Sequence, residues 1–139
     1  MELFHGSSET ITEIRNSGVF GGLFASASES SALSHGGVLH SIESPRHLSD
    51  YALNYEVGGA YDVALEIARG DERVADAIMS KGCESLDDCE PEDAAEQGWE
   101  FQRLRGVLAS KLGYTSVEML DEHGTTYLCL PGCVISVSA

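Results

Sequence analysis

Three short runs crowd the last quarter of the chain: Thr115 to Leu120, Thr125 to Leu130 and Val134 to Val137. The first alternates apolar and polar residues with period two, and none is long enough to bury a face as a helix, so all three read as strands. Between them lie Asp121-Glu122-His123-Gly124 and Pro131-Gly132, residues that supply turn geometry. An antiparallel meander is expected here. A sheet with one apolar face must bury it against another layer, and the rest of the chain has to provide that layer.

Upstream, Glu2 to His5 reads as a strand running into His5-Gly6-Ser7-Ser8, and Leu23-Phe24-Ala25 as a second brief strand. The serine-rich run after it opens a helix, with Ser28 or Ser26 as N-cap. Val38 to Ile42 alternates like a strand, Pro45 to Ser49 reads as a loop, and Ala60 to Ile67 suits either helix or strand. Asp71 to Met79 and Glu92 to Leu112 carry apolar residues at helical spacing, which places Trp99, Leu104, Val107, Leu108 and Leu112 in a core. Gly113 closes that helix. Strands at both ends with helices between them predict an α+β fold, and 139 residues with 42% hydrophobic content predict a single domain spanning 1–139.

Eight Lys and Arg against 23 Asp and Glu give a formal charge of -15, which repels a phosphate backbone and argues against direct nucleic-acid binding. The acidity serves solubility or docking onto a basic protein surface. No run approaches the roughly 20 apolar residues that span a bilayer, and the first residues carry no secretory pattern, so a cytoplasmic protein with no membrane partner is expected. Cys83, Cys89, Cys129 and Cys133 have spacings unlike those of zinc knuckles and read as free structural thiols. His40, His47 and His123 are too scattered to argue a metal site, and no Gly-x-Gly-x-x-Gly or Gly-x-Ser-x-Gly motif supports a dinucleotide-binding dehydrogenase or a serine hydrolase.

Three pieces carry chemistry when taken in order: His5-Gly6-Ser7, then Phe24-Ala25 with Ser31-Ala32 downstream, then Asp121. Separately they are a turn, a core strand and a hairpin residue. Together they resemble the ADP-ribosyltransferase superfamily, in particular the poly(ADP-ribose) polymerase type that opens with His-Gly-Ser. Over the whole length the chain is more similar to a family of phage anti-CRISPR ADP-ribosyltransferases that inactivate the type I-F surveillance complex. That likeness rests on Phe4-His5 with Ser7 beyond, Ser17-Gly18-x-Phe20-Gly21, Ala94-Ala95-Glu96, Trp99-Glu100-x-Gln102 and Asp121-Glu122-x-Gly124-Thr125.

The resemblance implies a split antiparallel β-sandwich with flanking helices, NAD as the ADP-ribose donor and no metal. It implies that His5 holds the adenosine ribose, that the main chain of Gly6 pairs with the nicotinamide carboxamide, and that Ser7, Ala25 and Ser31 join the cofactor site. Phe24 or His35 would stack on nicotinamide. Breaking the nicotinamide–ribose bond builds positive charge on the sugar, as glycoside hydrolysis does, and a carboxylate nearby favours that charge. The superfamily's usual glutamate falls at Thr126, so the resemblance points instead to Asp121, with Glu122 second and Glu118 third. The implied acceptor is a protein, a basic subunit of a CRISPR surveillance complex, in the cytoplasm of the bacterial host. The alternatives are a toxin-like transferase or NAD glycohydrolase with another target, and an acidic inhibitor that blocks a basic surface without turnover.

Overall fold

The computed structural model describes residues 1–122 and 124–138; His123, expected in a turn, and Ala139 lie outside them. In chain order the elements are β1 (Glu2–Ser7), β2 (Leu23–Ala25), α1 (Glu29–Leu33), β3 (Val38–Glu43), β4 (His47–Leu48), α2 (Asp50–Tyr55), α3 (Ala60–Ile67), α4 (Glu72–Met79), a single 3₁₀ turn (Pro91–Asp93), α5 (Ala94–Lys111), β5 (Ser116–Asp121), β6 (Gly124–Cys129) and β7 (Val134–Val137). They form a three-stranded sheet in the order β1-β3-β7 and a four-stranded sheet in the order β2-β6-β5-β4.

The three C-terminal strands are present, but they are not one meander. β5 and β6 pair antiparallel, whereas β7 crosses to the other sheet and pairs with β3, Ile42 opposite Ile135. Pro131 has no N–H to extend the β6 ladder and Gly132 turns with φ 112°, so the strand leaves its sheet there. The alternating pattern identified each strand's inner face; it carries no information about the partner. Two further differences lie in the middle of the chain. The segment read as a loop at 45–49 contains β4, which runs parallel to β5 and makes the larger sheet mixed. Asp50–Tyr55 is a helix not anticipated, its N-terminus capped by Ser49, whose Oγ accepts the Ala52 N–H at 3.1 Å. The undecided Ala60–Ile67 is helical.

Alternation along β6 defines three layers. Tyr127 and Cys129 face the smaller sheet and pack with Leu3, Ala25, Ile42 and Ile135, while Leu128 and Leu130 face the helices with Val117 and Met119 of β5. The α5 helix presents Phe101, Arg105, Leu108 and Ala109, at i, i+4, i+7 and i+8, to that helical core. Trp99 lies nine residues before Leu108, half a turn away in projection, and is 48% exposed. The expectation of a core tryptophan fails because the buried stripe is set by Phe101 and Arg105. Gly113, with φ 89°, ends α5 as expected.

Arg105 is completely buried, and its charge is fully accommodated. Nε donates to the Glu118 carbonyl at 3.0 Å, Nη1 to those of Ile78 and Met79 at 3.1 and 2.7 Å, and Nη2 to Asp50 Oδ1 at 2.9 Å. One side chain thus ties α5 to β5, to the end of α4 and to the start of α2.

Candidate active site

β1 and β3 place His5 opposite His40 on the face turned toward the larger sheet. His40 is fully buried; its Nε2 accepts the Ile11 N–H at 2.9 Å, so its Nδ1 carries the proton and donates to the His5 carbonyl at 3.1 Å. This clamps the backbone at His5. The His5 ring is fixed in turn, because its Nδ1 lies 2.5 Å from the Phe24 carbonyl, which can only accept. In the neutral ring Nε2 is then an acceptor, suited to a ligand hydroxyl. Burial lowers the His5 pKa below its ordinary 6.5, outweighing the bond to Phe24, with His40 and His35 adding smaller downward effects. The acceptor form is therefore the one present at neutral pH.

Phe4 bonds Ser26 with both its N–H and its C=O, at 2.7 and 2.8 Å, on the edge of β1 away from β3. Strand alternation directs the N–H and C=O of Gly6 to the same edge, one step further on, where Gly6 borders a cavity. Packing accounts for the glycine. A Cβ at Gly6 would lie 1.9 Å from the Ala32 carbonyl oxygen, so the missing side chain makes room for α1 and not for a ligand. What faces the cavity is the main-chain edge.

Asp121 closes β5, paired with Gly124, and stands where three cavities meet. One, of about 310 Å³, is bordered by His5, Gly6, Phe24, Ala25, His35 and Asp121, with Phe4, Ser26, Ala32 and Thr126 completing the wall. A second is lined by serines of the α1 region, Ser26, Ser30, Ser31 and Ser34, together with His35, Asp121, Thr125 and Thr126. The third, about 700 Å³, joins Asp121 and Glu122 to Phe20, Phe24, Glu84, Trp99 and Gln102. Two sequence-expected residues do not border the cavity of His5 and Gly6. Ser7 turns its hydroxyl to the Glu9 carbonyl, and Ser31 lies in the serine cavity because the helix rotates about 100° between it and the buried Ala32.

A family model described as Anti-CRISPR Type I-F ADP-ribosyltransferase AcrIF11 matches residues 1–137. The chain belongs to that family. A solved structure described as an anti-CRISPR protein is 63% identical, covering 99% of this chain and 95% of that one with a TM-score of 0.90. No curated protein matches. The chain is an NAD-dependent protein ADP-ribosyltransferase with the α+β fold expected from its sequence.

In this ADP-ribosyltransferase Thr126 stands where the superfamily's glutamate was sought, and its hydroxyl donates to the Ala25 carbonyl at 3.1 Å. It is part of the cavity wall. Glu118, the third carboxylate considered, is occupied elsewhere: its Oε1 accepts the Asp50 N–H at 2.9 Å at the start of α2. Glu122 borders only the aromatic cavity. Sequence reasoning did not single out Phe4, Ser26 or the trio Glu84, Trp99 and Gln102 as site residues, although Phe4, Trp99 and Gln102 lie within the motifs that carry the family likeness; Ser26 and Glu84 carry no signal readable from one sequence.

The four cysteines are free, as expected. The Cys133 thiol is drawn down to about 6, chiefly by a hydrogen bond from Cys129, yet Cys133 borders none of the three cavities that meet at Asp121. Among the described residues, no group of three or more His, Cys, Asp or Glu could hold a metal ion, and no helix is long and apolar enough to cross a membrane.

Proposed function

We propose that the cavity between His5, Gly6 and Asp121 holds the nicotinamide–ribose part of NAD, and that Asp121 is the catalytic carboxylate. The observation that carries this reading is the convergence of β1, β2, α1 and the end of β5 on one cavity, which gathers residues from both ends of the chain around groups of matching chemistry. A carboxamide needs an acceptor and a donor side by side, and the Gly6 main-chain edge offers both. Ribose hydroxyls need acceptors, and His5 Nε2 is one for the adenosine ribose, at a cavity that shares Ser26 and His35 with the serine cavity beside it. Phe24 and His35 border the same space and could stack on a flat ring.

NAD supplies the bond between nicotinamide and ribose, whose cleavage leaves positive charge on the sugar. Asp121 provides a fixed negative charge at the cavity's open end, which favours the charged transition state over the neutral-sugar ground state. The serine cavity on the far side of His35 presents hydroxyls and no carboxylate other than Asp121, a setting that tolerates the diphosphate and adenosine. The chain acts as one unit in the bacterial host cytoplasm, needs no metal, and modifies a subunit of the type I-F CRISPR effector complex, the system named by its family's description.

Thermal unfolding with and without NAD tests the donor site. A ligand that binds only the folded protein adds RT ln(1 + [L]/Kd), about 2.7 kcal/mol at a hundredfold excess over Kd. The melting curve should rise with NAD, and His5→Ala should reduce the rise. A wild-type curve unmoved by millimolar NAD contradicts the assignment. For the acceptor, biotin-labelled NAD incubated with purified type I-F complex should label one subunit; labelling confined to unrelated proteins contradicts that choice.

A further inference from the structure

The three cavities at Asp121 differ in chemistry, and the difference assigns them. On the side of His5 and the serines, the walls carry hydroxyls, imidazoles, main chain and the rings of Phe4 and Phe24, with Asp121 as the one carboxylate in the lining. On the other side the groove combines Glu84, Asp121 and Glu122 with Phe20, Phe24, Trp99 and Leu120. A diphosphate entering that groove would meet carboxylates of its own sign, so the donor is directed away from it. The groove's lining includes no Lys or Arg: Arg103 is ion-paired with Glu100 and borders a different cavity, as does Lys81.

We propose that this groove is the acceptor entrance, and that it takes a segment of the target protein presenting an arginine or lysine. The proposal rests on the donor assignment above, since it is Asp121 and Phe24, shared between the groove and the donor cavity, that make the two continuous. Trp99 is 48% exposed on the face of α5 opposite Leu108 and lines the groove. Its indole offers a π-face to a cation, and Glu84 offers a charge on the same wall. Phe20 and Phe24, edge to face with centroids 4.8 Å apart, supply an apolar floor for the side chain's methylene stem. The overall charge of -15 draws basic surfaces toward the protein, and the groove is where an acidic and aromatic surface reaches the reacting centre.

Trp99 is the chain's single tryptophan, so its fluorescence reports on the groove directly. The probes are an arginine-rich hexapeptide and its glutamate counterpart, titrated into the full chain, with labelled-peptide anisotropy for the variants and NAD-induced melting shifts measured in parallel. The arginine peptide should change Trp99 emission saturably and the glutamate peptide should not. Trp99→Ala should weaken arginine-peptide binding about fivefold and Glu84→Gln about threefold, magnitudes typical of exposed cation–π and ion-pair contacts, with the NAD shift unchanged in both. Absence of a saturable response, an equal response to the glutamate peptide, or a Trp99 response to NAD alone would overturn the proposal. Peptide binding with a melting curve indifferent to NAD would instead sink the donor assignment and leave the groove's preference for cations standing.

Discussion

On its helix side, the four-stranded sheet belongs to a cluster of fourteen buried side chains, Leu48 to Leu130, with Arg105 wired through it; on the side facing β1, β3 and β7 the corresponding cluster has five. The polar groups are divided differently too. The helical side has one buried cation whose hydrogen bonds all go to protein, whereas the sandwich side holds His5, Ser26 and the Gly6 edge around a cavity. The comparison teaches that the larger core secures the sheet so that the smaller one can leave hydrogen-bonding groups facing a ligand. A site of this kind needs rigid support from behind, because its own packing supplies little.

The division can be broken most severely at Arg105. Arg105→Ala takes the guanidinium from the Asp50 carboxylate and three carbonyls, leaving Asp50 and Met79 with the Asn54 amide as donor, and removing one member of a buried, hydrogen-bonded charge network costs about 3–5 kcal/mol, toward the lower end here because Asp50 is 28% exposed and keeps that donor. Urea unfolding should show that loss, while any folded fraction keeps the NAD-induced shift. Retention of full stability would mean that the helical side does not depend on this residue. On the sandwich side, Gly6→Ala forces α1 off β1, an overpacking cost of about 1–3 kcal/mol, and should abolish NAD-induced stabilisation well before it unfolds the protein. A mutant that still responds to NAD would show that α1 can shift without disturbing the site.

The smallest effect is a pH dependence. Because burial lowers the His5 pKa below 6.5, its neutral form persists as pH falls through the ordinary value, and the Nε2 acceptor is lost only below that. NAD affinity should therefore hold steady from pH 8 through about 6.5 and fall at more acidic pH. Folding stability follows the same sign: the unfolded chain takes up the proton first, so the loss begins near 6.5 and grows as pH drops toward the folded value. His47, also lowered by burial, adds to the stability trend. It borders none of the three cavities, so His5→Ala should weaken the affinity trend and leave the His47 contribution to stability in place, with His35→Ala as the control for the other imidazole at the cavity. An affinity that rises on acidification would contradict the acceptor role of Nε2.

Much of the candidate site was legible in the sequence because its residue types announce chemistry at strand ends: His5-Gly6, Phe24-Ala25 and Asp121 border one cavity. The helices of the second half were legible from spacing alone. What was not legible depended on partners distant in sequence. Nothing local tells β7 to pair with β3 instead of β6, because alternation encodes a face and not a neighbour. Arg105 and Arg103 look alike in sequence, yet one is buried and the other paired at the surface. Ser31 was read into the cofactor site from the family resemblance, and one step of helical rotation from the buried Ala32 puts it in the serine cavity and not in the one that Gly6 borders. Trp99 was assigned to the core because large apolar residues usually go there, and only the choice of Phe101 as anchor turns it outward.

The central claim, that Asp121 performs the chemistry at a site held from behind by the helical core, is tested most directly by nicotinamide release from NAD with Asp121→Asn beside Glu122→Gln. The asparagine keeps the size of the side chain and removes its charge. Loss of one such electrostatic contribution, about 3 kcal/mol, should slow release roughly a hundredfold while the NAD-induced melting shift changes little. Glu122→Gln, which borders only the groove, should stay within a fewfold of wild type. Wild-type turnover in Asp121→Asn with loss in Glu122→Gln would move the catalytic carboxylate to its neighbour, and wild-type turnover in both would contradict the account.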